Sequence, residues 1–457
     1  MTNKYSLIRS VKVRAFVAFV SFVFAGCSSV SSIEKEGKKL PFFGSMEVQR
    51  FTLPNGLKLL VLEDSSSPTF AYQTWYRVGS RDEEPKYTGL AHLFEHLMFK
   101  GTKNLPEGQL DRILEQAGAE GENAFTSRDY TVYVQELPKD KLDLIAKLES
   151  DRMVNLVVND DSFKTEREVV QNERRMRNEN SPDGLMYQEI FGLAFTKHSY
   201  RWPVIGYEED LARMSSKEPR EFYESHYAPN HATIVVVGDV KASEVLKTVM
   251  KYYGDLKAKN LPEKIVPMEP EQTSPRHKTL KLNTQVQKLM VAYPVPAVVH
   301  EDIPALEVMR SVLTSGKSSR LSKALVESGI MTSIDTYDLD DRDPSILTFV
   351  GNLQRGKKAT QAESVMLAEI EKFKKAPISQ SELERAKNSL QAQFYDGLSS
   401  PSEKANFLGH YETVSDSFRT GVNIFTKIGA VTATQIQAAA KKYLNPNSRS
   451  VVMGVQK

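Results

Sequence analysis

Two histidines and a glutamate within residues 88–96 have the types and spacing of a metal-dependent hydrolytic site. His92 and His96 are four residues apart, and Glu95 lies between them in the order His-x-x-Glu-His. On a helix, with about 100° between successive residues, the three side chains fall on one face. Two imidazoles suit a catalytic zinc ion, which also needs a third protein ligand and lowers the pKa of a bound water to about 7. The pattern predicts one Zn2+ per chain and Glu95 as general base, then general acid.

Two glutamates further along the chain could complete such a site. Glu166 and Glu173 are seven residues apart in the charged stretch 161–180, so a helix would place them on one face after two turns. The same spacing is also typical of a solvated helix face, because most of this stretch is charged. Likewise, a helix that only packs two histidines is the alternative for His92 and His96. The residues alone leave these alternatives open.

The elements that must position these residues follow from local patterns. Apolar periodicity predicts helices over 90–101, 109–118, 141–155 and 161–180. Pro54-Asn55-Gly56 between two apolar arms predicts a hairpin over 50–64, and the aromatic-rich segment 70–79 predicts another strand. Strands and helices are clustered rather than strictly alternating, which favours an α+β fold over a doubly wound parallel sheet.

An internal repeat predicts two similar domains. The segments 227–240 and 443–457 match at an offset of 216 residues, and each follows an amphipathic helix opened by a hydroxyl residue, Ser216 or Thr432. The proline-rich segment 257–280 is interpreted as the linker between them. We therefore expect an N-terminal zinc-binding domain at 46–256 and a homologous C-terminal domain at 281–457, which has too few histidines for a second metal site.

The first residues have the pattern of a bacterial secretion signal. Four basic residues precede an apolar run at 15–25, which is about half of the ~20 residues that span a membrane. Cys27, the only cysteine of the sequence, follows in FAGC, which resembles a lipobox. The pattern predicts a lipoprotein signal peptide at 1–26, lipidation of Cys27 and a tether at 27–45. We expect a membrane-anchored protein, at the periplasmic face of the outer membrane.

The cysteine count and the net charge exclude some kinds of structure and function. A single cysteine excludes an intrachain disulfide, and the net charge of +2 becomes −2 once the four basic residues of 1–26 are removed. Nucleic acid is therefore not an expected partner.

Four motifs together resemble one family. HLFEHLMFKGT at 92–102, NAFTSRDYTVY at 123–133, EREVVQNERRMR at 166–177 and HSYRWPVIGYEEDL at 198–211 are similar to the pitrilysin family of inverzincin metallopeptidases, which includes insulin-degrading enzyme and the mitochondrial processing peptidase. The resemblance implies paired homologous domains, each a mostly antiparallel sheet packed with helices, that form half of a clam-shell peptidase.

The resemblance also implies roles for particular residues. Glu173 would be the third zinc ligand, and Glu166 a helper carboxylate of the catalytic group. Asn123, Ala124 and Phe125 would belong to an edge strand on which an extended peptide substrate lies. Strand addition of this kind uses main-chain hydrogen bonds and is therefore indifferent to most side chains.

One departure from the family pattern bears on partners. Members that act as complete units place an arginine and, seven residues later, a tyrosine in the C-terminal half, where they stabilise the tetrahedral oxyanion. The comparable positions here are Val326 and Ser333, and Arg320 and Tyr337 have the wrong spacing. We therefore expect a heterodimer with a homologous zinc-less subunit that supplies the pair, and a homodimer is the alternative.

The expected function is a zinc endopeptidase or oligopeptidase acting on extended peptides. A non-catalytic binding or assembly subunit on the same fold is the second hypothesis, because fold does not determine function. A zinc hydrolase of non-peptide amides is the third, and a substrate screen would distinguish it.

Overall fold

The computed structural model describes residues 37–260 and 265–457, and the N-terminal half contributes a seven-stranded sheet. Its strands are β1 (Lys38–Pro41), β2 (Glu47–Thr52), β3 (Lys58–Glu63), β4 (Thr69–Tyr76), β5 (Glu120–Thr126), β6 (Thr131–Pro138) and β7 (Ala232–Gly238). They pair in the order β1-β2-β3-β7-β4-β6-β5, and only β3 and β7 run parallel. Strand β5 therefore forms one edge of the sheet.

The C-terminal half contributes a five-stranded sheet of the same design. Its strands are β8 (Arg276–Leu282), β9 (Lys288–Val295), β10 (Asp335–Thr336), β11 (Ser345–Asn352) and β12 (Ser450–Gln456). They pair in the order β10-β11-β9-β12-β8, and only β8 and β12 run parallel. The mostly antiparallel sheets and clustered helices confirm the α+β class.

Helices lie between these strands in both halves. The N-terminal half has α1 (Leu90–Leu97), α2 (Gln109–Gln116), α3 (Leu142–Asn155), α4 (Asp160–Arg174), α5 (Pro182–Ala194), α6 (Glu208–Arg213), α7 (Lys217–His226) and α8 (Ala242–Tyr253). The C-terminal half has α9 (Ile303–Thr314), α10 (Ala359–Lys375), α11 (Gln380–Asp396), α12 (Pro401–Ser415), α13 (Arg419–Ile428) and α14 (Ala433–Tyr443). No helix within the described ranges has the length and hydropathy needed to cross a membrane.

Each half covers one face of the other half's sheet. On the N-terminal sheet, the apolar side of α1 packs into the core of one face, while α12 packs across β4 and β7 on the other. On the C-terminal sheet, α5 covers the face formed by residues such as Met290 and Val452. This exchange of helices holds both sheets in one compact body.

The predicted tether is shorter than expected. Residues from Lys38 onward belong to the folded body, because β1 pairs with β2 and Phe42 is buried. The Phe42 ring lies 5.6 Å from Phe407 of α12, and Phe43 lies 4.6 Å from Phe394 of α11. Aromatic packing on the C-terminal half orders this segment. The predicted signal peptide and Cys27 lie outside the described residues.

The predicted linker also ends earlier than expected. The lack of periodicity predicts a linker that extends to residue 280, but residues 276–280 form most of β8, which pairs in parallel with β12. The preceding segment is held by Glu269, whose carboxylate accepts hydrogen bonds from the backbone N–H groups of Thr196, Lys197 and His198 at 2.8–3.0 Å.

Candidate active site

Helix α1 is anchored where the ligating motif begins. Gly89 precedes the helix with φ of +88°, and a Cβ there would approach the carbonyl oxygen of Ile205 to 2.5 Å. The Glu83 carboxylate accepts hydrogen bonds from the N–H groups of Gly89 and Ala91 at 3.0 and 2.8 Å. Since the first N–H groups of a helix lack partners within it, these bonds fix the direction of α1.

Helices α1 and α4 bring together the three predicted ligands. The Nε2 atoms of His92 and His96 lie 3.7 and 3.4 Å from Oε2 of Glu173. One ligand atom from each residue lies within 4.8 Å of the others. Donors held 2.0–2.1 Å from a tetrahedral ion are about 3.4 Å apart, so this set of two nitrogens and a carboxylate oxygen fits zinc. Arg177, in the π-helical turn that follows α4, holds the second oxygen of Glu173 at 2.7 Å.

Glu166 contacts the far side of one of these imidazoles. Its Oε2 accepts a hydrogen bond from Nδ1 of His96 at 3.2 Å, and its Oε1 pairs with Lys100 at 2.8 Å. Although burial opposes it, hydrogen bonding to Glu166 and Glu173 raises the pKa of His96. A carboxylate on the second nitrogen commonly orients a metal-binding histidine. Glu166, expected as a helper of the catalytic group, therefore contacts His96 rather than Glu95 in this structure, with Lys100 as its second partner.

Glu95 lies on α1 next to His96, outside the group formed by His92, His96 and Glu173. The side chain is buried, and its Oε2 accepts a hydrogen bond from the hydroxyl of Thr126. Burial raises the pKa of this carboxyl above its ordinary value. Burial also lowers the pKa of His92, which favours the neutral imidazole that a metal requires.

The strand expected to hold the substrate is the edge strand β5. The N–H of Ser127 donates to the carbonyl of Tyr130 at 2.8 Å, and bonding alternates along an antiparallel pair from that point. Ala124 and Thr126 therefore direct their main-chain groups away from β6. In agreement, the N–H of Ala124 donates to the side chain of Asn123 at 2.9 Å instead of to β6. The outward groups of Thr126 are available to an added strand, and the N–H of Ala124 becomes available when it leaves the Asn123 side chain.

A cleft of about 810 Å³ joins the ligands to this edge. Every described residue that lines it lies between His92 and Arg177, including Phe125 and Thr126. The C-terminal residues considered for oxyanion binding lie elsewhere. Arg320 pairs with Glu382 at 2.7 Å, and the Tyr337 ring packs 5.3 Å from that of Tyr187. Val326 lies in the π-helical turn Ser322–Glu327, and Ser333 contacts Asn352.

Several residues of the cleft were not recognised from sequence. Thr126, Lys100 and Arg177 lie inside the quoted motifs, but nothing in their spacing indicates their contacts with Glu95, Glu166 and Glu173. Glu122 lines the same cleft from β5. Their positions depend on how α1, α4 and β5 pack together, which no local pattern encodes.

Comparisons with known proteins identify two family models and a curated relative. Residues 59–204 match the family model described as insulinase, peptidase family M16, and residues 213–390 match the model described as peptidase M16 inactive domain. The chain is 34% identical over 372 residues to the zinc protease PqqE of Helicobacter pylori, covering 80% of this chain and 83% of that protein.

Solved structures give the same result. A protease from Helicobacter pylori has a TM-score of 0.85 at 30% identity, covering 90% of this chain and all of that chain. The periplasmic protease PqqL from Escherichia coli has a TM-score of 0.73 at 19% identity, covering 92% of this chain but 48% of that chain. At that identity the second likeness concerns the fold alone.

Proposed function

Because the chain belongs to peptidase family M16, the insulinase family, we propose that it is a zinc-dependent endopeptidase or oligopeptidase that cleaves extended peptides. The observation that carries the proposal is the grouping of His92, His96 and Glu173 beside Glu95, in a cleft that ends at the open strand edge. A zinc ion held there would polarise the scissile carbonyl and acidify a water molecule. Proton transfer and peptide binding are left to the chain's own residues.

The cleft contains residues for both proton transfer and peptide binding. Glu95 takes a proton at its carboxylate and delivers it to the leaving amine, and the Thr126 hydroxyl holds the carboxylate in place. The outward main-chain groups of Ala124 and Thr126 bind the peptide in an extended conformation. Because Thr126 contacts both the strand edge and Glu95, a peptide aligned on β5 passes the proton-transferring group.

We also propose that a second subunit completes the cleft. Two observations support it: the described lining residues come only from the N-terminal half, and Arg320 and Tyr337 are engaged elsewhere. The PqqL chain is about twice the length that this chain matches, as a protein with two such units would be. A homologous zinc-less subunit bearing the Arg/Tyr pair is the proposed partner, and a second copy of this chain is the alternative.

The test is peptidase activity on a quenched peptide library, with the metal content of the protein measured. We expect about one zinc per chain, activity that increases when a zinc-less homologue is added, and a loss of about 10²–10⁴-fold in Glu95→Gln with zinc retained. Glu168→Gln, an exposed glutamate on α4 between Glu166 and Glu173, is the matched control and should remain active. Stoichiometric zinc without cleavage in any mixture would favour a binding or assembly subunit.

The membrane anchor is proposed on the sequence pattern alone. We propose that Cys27 is lipidated and that the protein is attached to the cell envelope, at the periplasmic face of the outer membrane. Cys27→Ala should then move the protein from the detergent phase to the aqueous phase in a phase-separation assay. Unchanged partitioning would exclude Cys27 as the anchor.

A further inference from the structure

The two carboxylate oxygens of Glu173, the proposed third ligand, have different partners. Oε2 lies 3.7 and 3.4 Å from Nε2 of His92 and His96, whereas Oε1 pairs with Nη1 of Arg177 at 2.7 Å. The Arg177 side chain also lines the active-site cleft. Its guanidinium therefore leaves a single oxygen of Glu173 facing the two imidazoles.

Arg177 lies in a π-helical turn that packs closely against α5. The turn spans Arg175–Glu179, and the N–H of Asn180 donates to the carbonyl of Arg175, five residues earlier, at 2.8 Å. A Cβ at Gly184 of α5 would collide with the carbonyl oxygen of Arg177, so the absence of a side chain permits this packing. Single turns of π-helix are frequent at functional sites. The contact with α5 fixes the backbone from which the guanidinium extends.

The ion pair between Arg177 and Glu173 contributes little to folding. The Arg177 side chain is 75% exposed, and ion pairs of exposed side chains usually add little stability. The guanidinium also places a positive charge beside a group that is proposed to hold a dication, and like charges repel. The main effect of the pair is therefore on how Glu173 presents its oxygens.

The number of oxygens that Glu173 presents decides how many coordination positions of a zinc ion stay free. A catalytic zinc ion has three protein ligands and one position for water or substrate, and it can expand to five ligands. A carboxylate has two oxygens that can both bind. If both oxygens of Glu173 bound the ion, the second would compete for the position that water and the scissile carbonyl require.

We propose that Arg177 is a positioning residue that holds Oε1 of Glu173 away from the zinc ion and so keeps one coordination position free. This role rests on the proposed zinc peptidase function and deepens it at the same site. The bond from Arg177 to Glu173 joins two charged groups, and such bonds are roughly twice as strong as neutral ones. It can therefore compete with the ion for the second oxygen.

Binding of metal and of imidazole to the full chain tests this without requiring cleavage. Co2+ replaces zinc, because its visible absorption reports on its ligands, and imidazole above about pH 8 is a neutral probe for a free position. Arg177→Gln should bind Co2+ about tenfold more tightly, since a cation is removed from beside the ion. It should bind imidazole about tenfold more weakly, since Oε1 of Glu173 fills the position. Loss of a merely structural contact would instead weaken Co2+ binding and leave imidazole binding unchanged.

Two further variants serve as controls. Arg177→Lys keeps a cationic donor at the same position and should bind imidazole as the parent does. Arg175→Gln removes an arginine of the same turn, whose Nε donates to the carbonyl of Gln171 at 3.1 Å, and should change neither affinity.

Equal imidazole affinity in Arg177→Gln and the parent would overturn the role of Arg177. If a protein with this equality cleaved peptides, the peptidase proposal would stand and only the role of Arg177 would fail. The expected shifts in a protein that cleaves no peptide would refute only the peptidase. Failure to bind Co2+ or zinc would refute both.

Discussion

The two sheets share a strand order, but corresponding helix pairs on them differ in their side chains. The pair in the N-terminal half meets through polar side chains, and the pair in the C-terminal half meets through apolar ones. The order β3-β7-β4-β6-β5 in one sheet corresponds to β8-β12-β9-β11-β10 in the other, with the same parallel pair. Helices α1 and α9 then occupy equivalent places after β4 and β9. Where α1 meets α4 there are two histidines and two carboxylates, but where α9 meets α11 there are residues such as Leu383, Ala386 and Leu390. One interface groups side chains that could bind a metal, and the other is an apolar packing interface.

The corresponding edge strands of the two sheets differ in length. Strand β5 has seven residues at its free edge, whereas β10 has two. Short edge strands protect a sheet from unwanted pairing, and a long open edge is tolerated where pairing is useful. The N-terminal half therefore exposes a long strand edge, whereas the corresponding edge of the C-terminal half is short. Experiments on individual residues can test these differences between the two halves.

The largest expected effect concerns the polar α1–α4 interface. Nδ1 of His92 is buried without a partner among the described residues, and an unpaired buried polar atom lowers stability. His92→Leu, which imitates the apolar interface of α9, should raise the metal-free stability by about 1 kcal/mol. It should also abolish stabilisation by zinc, which reaches about 4 kcal/mol at a thousandfold excess over Kd. Urea unfolding with zinc and with chelator measures both quantities.

Its control is a histidine of the other half. His277 lies on β8, where it pairs with Glu363 at 3.2 Å, so His277→Gln should leave the zinc increment unchanged. Persistence of the increment in His92→Leu would show that zinc binds elsewhere, and the contrast between the two helix pairs would fail.

Features of the N-terminal half that depend only on neighbouring residues could be predicted from sequence. Spacing alone places His92, Glu95 and His96 on one helix face, and Pro54-Asn55-Gly56 forms the expected turn between β2 and β3. Packing between distant segments could not be predicted in this way. The insertion of β7 between β3 and β4, the aromatic contacts of Phe42 and the bond from Thr126 to Glu95 each depend on residues far apart in the chain. Periodicity carries no information about such contacts.

The second prediction concerns the junction between the halves. Asp343 of the C-terminal half binds Arg81 at 2.6 Å and His198 at 3.1 Å, both from the N-terminal half. Although burial opposes it, these two partners lower the pKa of Asp343 to about 2. A lowered pKa stabilises the folded state above the ordinary value of 3.8, and this stability is lost as the pH falls towards 2.

Asp343→Asn should therefore cost about 2 kcal/mol at neutral pH, and the variant should lose less stability than the parent between about pH 4 and pH 2. Urea unfolding as a function of pH measures both effects. Asp335→Asn, an exposed carboxylate on β10, serves as the control. Parallel pH profiles of Asp343→Asn and the parent would show that this carboxylate does not couple the halves.

The third prediction concerns the free edge of β5. If a peptide adds to β5, only alternate main-chain amides of the peptide bond to the protein. N-methylation of successive substrate residues should therefore reduce affinity with a period of two, by about tenfold at the sensitive positions. Binding to the Glu95→Gln protein is the measurement. Uniform losses along the peptide would indicate a mode of binding that does not use the strand edge.

The smallest expected effect concerns the helices that precede the repeated strands. Thr432 caps α14, its hydroxyl accepting from the N–H of Gln435 at 3.3 Å. Ser216, predicted as its counterpart, makes no such bond, because its buried hydroxyl donates to Asp160 and accepts from Arg220 at 2.6 Å. Ser215, one position earlier, caps α7: its hydroxyl accepts from the N–H of Lys217 at 3.3 Å, and its own N–H and hydroxyl donate to Glu218 at 2.8 and 2.7 Å.

The capping pairs are therefore offset by one residue from the repeat itself. Thr432→Ala and Ser215→Ala should each cost about 1 kcal/mol in urea unfolding, and asparagine at either position should restore most of the loss, because asparagine also caps helices. Ser216→Asn should not be tolerated in the same way, since a larger side chain must replace a buried hydroxyl bonded to two partners. Equal tolerance of asparagine at Ser215 and Ser216 would contradict this assignment of the cap.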